Sequence, residues 1–194
     1  SLVVDMSGTR AKTRDYPAEQ AGNPRRLVAD REFIWPDAPV LAGGTVDIRP
    51  VPAHPNSADH TTTLMSPARK LAFVTALNTK RRYLVGMIFR RAEFPWVQTY
   101  EGYRSSPWLL RALEPATQPF DRPRRDAVDL NSMFDTPVYR WLPAYGTISS
   151  RFALFYVRSP KGMKRVDDVR FENGQLIIEE RGGARIGLPA SLGL

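Results

Sequence analysis

The segments Leu71 to Leu77 and Tyr83 to Phe89 are apolar on both faces, and strands of that kind are stable only where both sides of their sheet are covered. Asn78-Thr79-Lys80-Arg81-Arg82 between them reads as a hairpin turn, so the two segments form the centre of a sheet. The same two-residue period governs Ile148 to Val157, with Ile148, Phe152, Leu154 and Tyr156 on one face and Ala153, Phe155 and Val157 on the other. Nearer the C-terminus, Val169-Arg170-Phe171 and Gln175 to Ile178 flank Glu172-Asn173-Gly174, and Asn-Gly is a strong signal for a tight hairpin turn. Gly182-Gly183 then returns the chain to Ile186 and Leu188, completing an antiparallel meander. Leu2 to Met6 and Thr45 to Val51 read as further strands, Tyr16 to Pro24 and Pro50 to Asp59 as loops, and only Arg122 to Met133 as a short helix. The expected class is all-β, an antiparallel β-sandwich, with residues 1–194 forming a single domain.

Composition narrows the chemistry. Cysteine is absent and there are two histidines, which removes disulfide scaffolds, thiolate metal sites and cysteine nucleophiles and leaves the usual zinc ligand sets unfilled. No glycine-rich phosphate loop or nucleophile elbow is present. No apolar run approaches the roughly 20 residues of a membrane helix, so no membrane partner is expected. The 28 Lys and Arg against 20 Asp and Glu give +8, which raises nucleic acid as a partner. The basic residues nevertheless occur in small groups, Arg25-Arg26, Lys80-Arg81-Arg82, Arg90-Arg91, Arg122 with Arg124-Arg125, and Lys161 with Lys164-Arg165, usually beside an acid. That spread reads as solvated surface, and no nucleic-acid partner is expected.

Three acids stand out. Glu101 interrupts Trp96 to Tyr103, and Glu114 follows Leu113 and precedes Pro115. A carboxylate among apolar neighbours is partly desolvated, and so a better base near neutral pH, unless it is paired with an arginine such as Arg111. Asp59 sits where a loop enters a strand, a usual place for a ligand hydrogen bond; His60 next to it would point to the opposite face. His54, in a proline-rich loop, reads as a surface residue. Trp96, Tyr100, Tyr103 and Trp108 surround Glu101, as either core packing or a platform on which a sugar stacks.

At these residues the sequence resembles the galactose mutarotase-like superfamily, the aldose 1-epimerases and related sugar epimerases. Ala58-Asp59-His60 resembles the family's Gly-x-Asp-His segment, and Leu113-Glu114-Pro115-Ala116-Thr117-Gln118 its late-chain Leu-Glu-Thr-Gln or Val-Glu-Pro-Gly-Ala segment. The stretches Val4 to Arg10, Phe94-Pro95-Trp96 and Thr136 to Ala144 are similar to poorly characterised bacterial epimerase-like proteins of the superfamily. The resemblance implies part of a supersandwich, with this chain matching the C-terminal portion of a larger domain. It also implies an isomerase in which Glu114 takes the anomeric proton, a histidine protonates the ring oxygen, and Asp59 holds sugar hydroxyls. Glu101, Gln118 and Trp96 are the further substrate-binding candidates, and no metal or organic cofactor is implied. The family's catalytic histidine lies upstream of the region matched, which leaves three alternatives: a C-terminal fragment, a shortened relative that recruits His54 or His60, or a non-catalytic carbohydrate-binding or accessory β-sandwich. The partner expected in each case is a monosaccharide or glycan. A cut supersandwich would also expose strand edges and invite self-association.

Overall fold

The computed structural model describes residues 2–15, 25–51, 57–103 and 109–190. The loop expected at Tyr16 to Pro24, His54 in its proline-rich loop, Trp108 and the side chain of Tyr103 lie outside the described residues. The expected class is found: antiparallel β-sheets stacked in layers, with one short helix. Among the described residues no helix is long and apolar enough to cross a membrane.

The central layer contains β1 (Leu2–Met6), β7 (Leu71–Asn78), β8 (Tyr83–Arg90) and β13 (Phe152–Arg158) in that order. The doubly apolar strands β7 and β8 are indeed its middle pair, joined through Asn78, whose side chain accepts the Arg81 N–H at 2.8 Å. One face of this sheet carries Phe73, Leu77, Leu84, Ile88 and Phe155. That face is covered by a three-stranded meander of β14 (Asp168–Glu172), β15 (Gln175–Glu179) and β16 (Arg185–Pro189), which adds Val169, Leu176 and Ile178 to the same cluster. The turn between β14 and β15 places Asn173 at φ 50° and Gly174 at φ 73°, which is the reason for the Asn-Gly pair. Gly86 has a different use: a Cβ there would run into the Phe155 ring and lie 2.8 Å from the Thr75 methyl group. The missing side chain lets the buried aromatic lie against the strand.

The other face of the central sheet presents Val4, Met6, Val74 and Phe89 to a five-stranded sheet. Its order is β10 (Leu109–Ala116), β9 (Trp96–Tyr103), β6 (Ser57–Met65), β2 (Gly8–Thr13) and β3 (Glu32–Ile34). Met65 and Val97 complete the core between the sheets, with Leu113 packed against it. A small hairpin of β4 (Asp37–Pro39) and β5 (Thr45–Asp47) covers one end, burying Leu27, Ala38 and Ile48 in a satellite core. The strand expected over Thr45 to Val51 stops at Asp47, and the chain beyond it runs along the outer edge of β1, where Val51 N–H donates to Leu2 at 2.9 Å.

The outward face of the five-stranded sheet is covered in part by the segment after β10. This includes α1 (Arg124–Leu130) and the β11 (Ser132–Met133) and β12 (Thr136–Pro137) hairpin. The helix lies within the stretch expected for it and ends at Asn131, φ 60°. Leu64, Trp96 and Val138 make the core beneath this cap.

Candidate functional site

Register decides which of the candidate residues can meet. In the five-stranded sheet Asp59 on β6 stands opposite Glu101 on β9, and Glu101 opposite Arg111 on β10. Directly opposed residues share a face, so these three lie in one row on the side turned toward the rest of the sandwich. Glu114 is three positions beyond Arg111 and pairs with Gln98, which pairs with Thr62. An odd offset along a strand reverses the face. Asp59 and Glu114, to which the resemblance gives roles on one substrate, therefore lie on opposite sides of the sheet.

The inner row is a structural tether. Asp59, 3% exposed, accepts the backbone N–H groups of Leu27 at 3.0 Å and Arg26 at 3.3 Å. Burial raises its pKa, against the lowering effect of those two bonds. Glu101 contacts Arg111 at 2.9 Å and Arg26 at 3.4 Å, with the side chains of Glu101 and Arg111 only 3% and 2% exposed. Arg111 also donates to the carbonyls of Ile48 and, at 3.1 Å, Arg49. The row thus fastens two irregular segments, around residues 26–27 and 48–49, to the sheet. The oxygens of Glu101 and Asp59, expected as sugar ligands, hold internal partners in this arrangement, and Glu101 has the arginine that its desolvation demands.

Trp96, the further candidate for substrate binding, takes the core-packing alternative. It is fully buried, donates its indole N–H to the Pro137 carbonyl at 3.2 Å, and packs with Leu64 and Val138. It is core. Glu114 is exposed rather than desolvated.

On the outward face His60 sits on the same side of the sheet as Gln98 and Glu114. Its Nε2 lies 3.1 Å from the Gln98 side-chain oxygen, and the Gln98 NH2 group donates to the Gln118 carbonyl at 3.1 Å. That arrangement puts the imidazole proton on Nε2 and leaves Nδ1 to accept from Arg14 at 3.1 Å. Burial, reinforced by the Arg14 charge, lowers the His60 pKa from 6.5 to about 4. Tyr100 and Phe120 meet the ring edge-on. His60 is thus a neutral, pinned imidazole at physiological pH, a poor starting point for a general acid.

Arg122 stands in the walls of two hollows on this side, and a smaller one, of about 290 Å³, has Glu93 in its wall with Tyr139, Arg140 and Trp141. One of the two, of about 610 Å³, includes Arg10, Lys12, Asp15, Asp30, Glu32, Arg122 and Asp135 in its wall; each of its cations is paired with an acid, Arg10 with Glu32 at 3.1 Å, Lys12 with Asp30 at 2.8 Å and Arg122 with Asp15 at 2.9 Å, and Asp135 adds a further carboxylate. The second, of about 410 Å³, is lined by Gln118, Arg122, Arg124, Tyr139, Arg140 and Trp141, together with apolar side chains of α1, and has no acid in its wall. Trp141 is 62% exposed, with the Arg124 guanidinium 5.8 Å from its ring centre and Tyr139 edge-on at 6.4 Å. Arg140 donates to the Ser150 hydroxyl at 3.1 Å. Among the described residues neither Arg124 nor Arg140 forms an ion pair with a carboxylate.

Of the substrate-binding residues expected from the sequence, Gln118 is the one that lines this second hollow among the described residues. The arginines were legible only as surface charge, and Tyr139-Arg140-Trp141 only as part of a segment similar to epimerase-like proteins. Their one local signal is the cation between two aromatics, which acquires meaning when α1 brings Arg124 over Trp141. No family model, curated protein or solved structure matches the chain, so the likeness to mutarotases rests on the quoted segments alone.

Proposed function

We propose that this chain is a non-catalytic carbohydrate-binding β-sandwich that takes an acidic saccharide in the hollow between α1 and Tyr139-Arg140-Trp141. The observation that carries the reading is the uncompensated positive charge beside exposed aromatic surface: Arg124 and Arg140, without carboxylate partners among the described residues, flank Trp141. A guanidinium is a planar fork that matches a carboxylate. The Trp141 ring offers an apolar face to sugar C–H groups, and Gln118 offers an amide to hydroxyls. A hollow of about 410 Å³ accommodates one or two sugar rings.

Binding is preferred to anomer interconversion for two reasons. Asp59 and Glu114 occupy opposite faces, and the histidine nearest Glu114's face is neutral and held by two partners. Calorimetric titration with a galacturonate trisaccharide, with maltotriose as the neutral counterpart, tests the reading. The acidic sugar should bind with a Kd on the order of 0.1 mM, more weakly as salt is raised because the contacts are ionic and partly exposed, and maltotriose should give no saturable heat. Polarimetry on freshly dissolved galactose and glucose should follow the uncatalysed rate. Equal affinity for both trisaccharides contradicts the acidic-ligand reading, and accelerated mutarotation restores the epimerase reading.

A further inference from the structure

The two edges of the central sheet are treated differently. At β1 the chain around Arg49 to Val51 closes the edge, with Val4 N–H donating to the Arg49 carbonyl at 2.9 Å. At β13, among the described residues, no strand pairs on the side away from β8. Along the inner face of β8 exposure climbs from Phe89, fully buried, to Val85 at 38% and Tyr83 at 44%. The residues of β13 on the same face are barer still: Phe152 is 57% exposed, Leu154 67% and Tyr156 67%. Ala153 and Phe155, which point the other way, are buried. The expectation that this strand is covered on both sides therefore holds for one face only.

Edge strands normally carry lysine, proline or inward-pointing charge that discourages pairing. This one carries an uninterrupted strip of Phe152, Leu154, Tyr156, Val85 and Tyr83, with Arg158 only at its end, beside Tyr83. From the 150–250 Å² of an aromatic side chain and the exposures above, the strip presents roughly 500 Å² of apolar surface, at the upper end for the largest patch of a monomer.

We infer that the overhanging face of β8 and β13 is the interface of a homodimer, covered by the same face of a second copy. Three features favour a second copy as the occupant. Two strips face to face bury roughly 1,000 Å², about what a specific interface must clear. The strip is suited to a two-fold axis near Leu154: Phe152 lies toward one end and the stacked Tyr83–Tyr156 pair, ring centres 5.6 Å apart, toward the other, so each end meets its complement in an isologous contact. Its centre is uncharged, so contact does not oppose like charges there. Each copy nevertheless carries +8, so association must overcome long-range repulsion and strengthens as salt is raised.

Sedimentation velocity on the 194-residue chain tests this across protein concentrations from about 1 to 100 µM at low and moderate salt, with Leu154→Lys and Val85→Lys as variants at exposed positions. The expected result is a concentration-dependent dimer that tightens with salt, and a monomer for either variant with unchanged far-UV circular dichroism. Because the chain has no native cysteine, Leu154→Cys gives an independent reading. Under a mild oxidant it should form a disulfide-linked dimer, while Val128→Cys, exposed on α1, should not. A wild-type monomer throughout the range overturns the inference. So does a dimer that survives both lysines, or cross-linking no faster at Leu154→Cys than at Val128→Cys.

Discussion

Replacing Arg111 by methionine should destabilise the protein by about 3–5 kcal/mol, the usual loss when one member of a buried ion pair is removed. Arg111 is the only cation among the described residues whose nearly buried side chain touches the nearly buried Glu101; Arg26, the other contact, is a quarter exposed and farther away. The substitution also strips the carbonyls of Ile48 and Arg49 of their donor, which loosens the satellite core of Leu27, Ala38 and Ile48. Replacing both partners, Glu101→Leu with Arg111→Met, should recover a large part of the loss, because no buried charge is then left unpaired. Urea unfolding monitored by circular dichroism measures both. A single-variant loss below about 1 kcal/mol would mean that the pair is solvated in solution and that Glu101 is free for another role.

The second large effect is on pH dependence, where two buried groups act in opposite directions. His60 has its pKa lowered to about 4 by burial and the Arg14 charge. Its neutral form is favoured in the fold, so the stability it contributes is present above pH 6.5 and is lost as pH falls toward 4. Asp5 behaves in reverse. Burial raises its carboxyl to about 6, although the Val166 N–H that it accepts at 2.8 Å pulls the other way. Its protonated form is favoured in the fold, so stability is present below about pH 3.8 and is lost as pH rises through 6. Each contribution is about 3 kcal/mol, and the windows overlap.

The wild-type protein should therefore show nearly level stability from pH 4 to 6, with each variant exposing the group that remains. Asp5→Asn should gain about 3 kcal/mol as pH rises from 4 to 6.5, and His60→Gln should lose about 2 kcal/mol between pH 4 and 6. Asp59, raised by burial as well, is common to all three proteins, so it deepens the loss in His60→Gln, offsets part of the gain in Asp5→Asn and tilts the wild-type profile slightly downward. Unfolding free energies measured at half-unit pH intervals check the slopes. Parallel profiles for the two variants would contradict the account.

The reasons some features were legible in the sequence and others were not are physical. The β7–β8 hairpin was readable because two doubly apolar runs on either side of a polar turn have no other stable arrangement, and Asn173-Gly174 because its turn demands positive φ at both residues. The sites depended on register, which is a property of pairs of strands. Nothing in the spacing between Asp59 and Glu114 tells that Asp59 aligns with Glu101 and Arg111, which places Glu114 on the other side. Exposure of the tryptophans was hidden as well: the cap of Phe134 and Val138 buries Trp96, while Trp141, in a loop with no periodicity to read, remains at the surface. The bare face of β13 was hidden too, because an apolar alternation looks the same whether or not a second sheet extends far enough to cover it.

The account rests most heavily on the two arginines beside Trp141. Its most direct test is calorimetric titration of galacturonate trisaccharide into wild-type protein and into an Arg124→Ala, Arg140→Ala double variant of equal thermal stability. Charged hydrogen bonds to a carboxylate are worth about 1.5–3 kcal/mol each, so the account predicts at least a tenfold weaker Kd in the variant. Affinity unchanged by the loss of both guanidinium groups would contradict it.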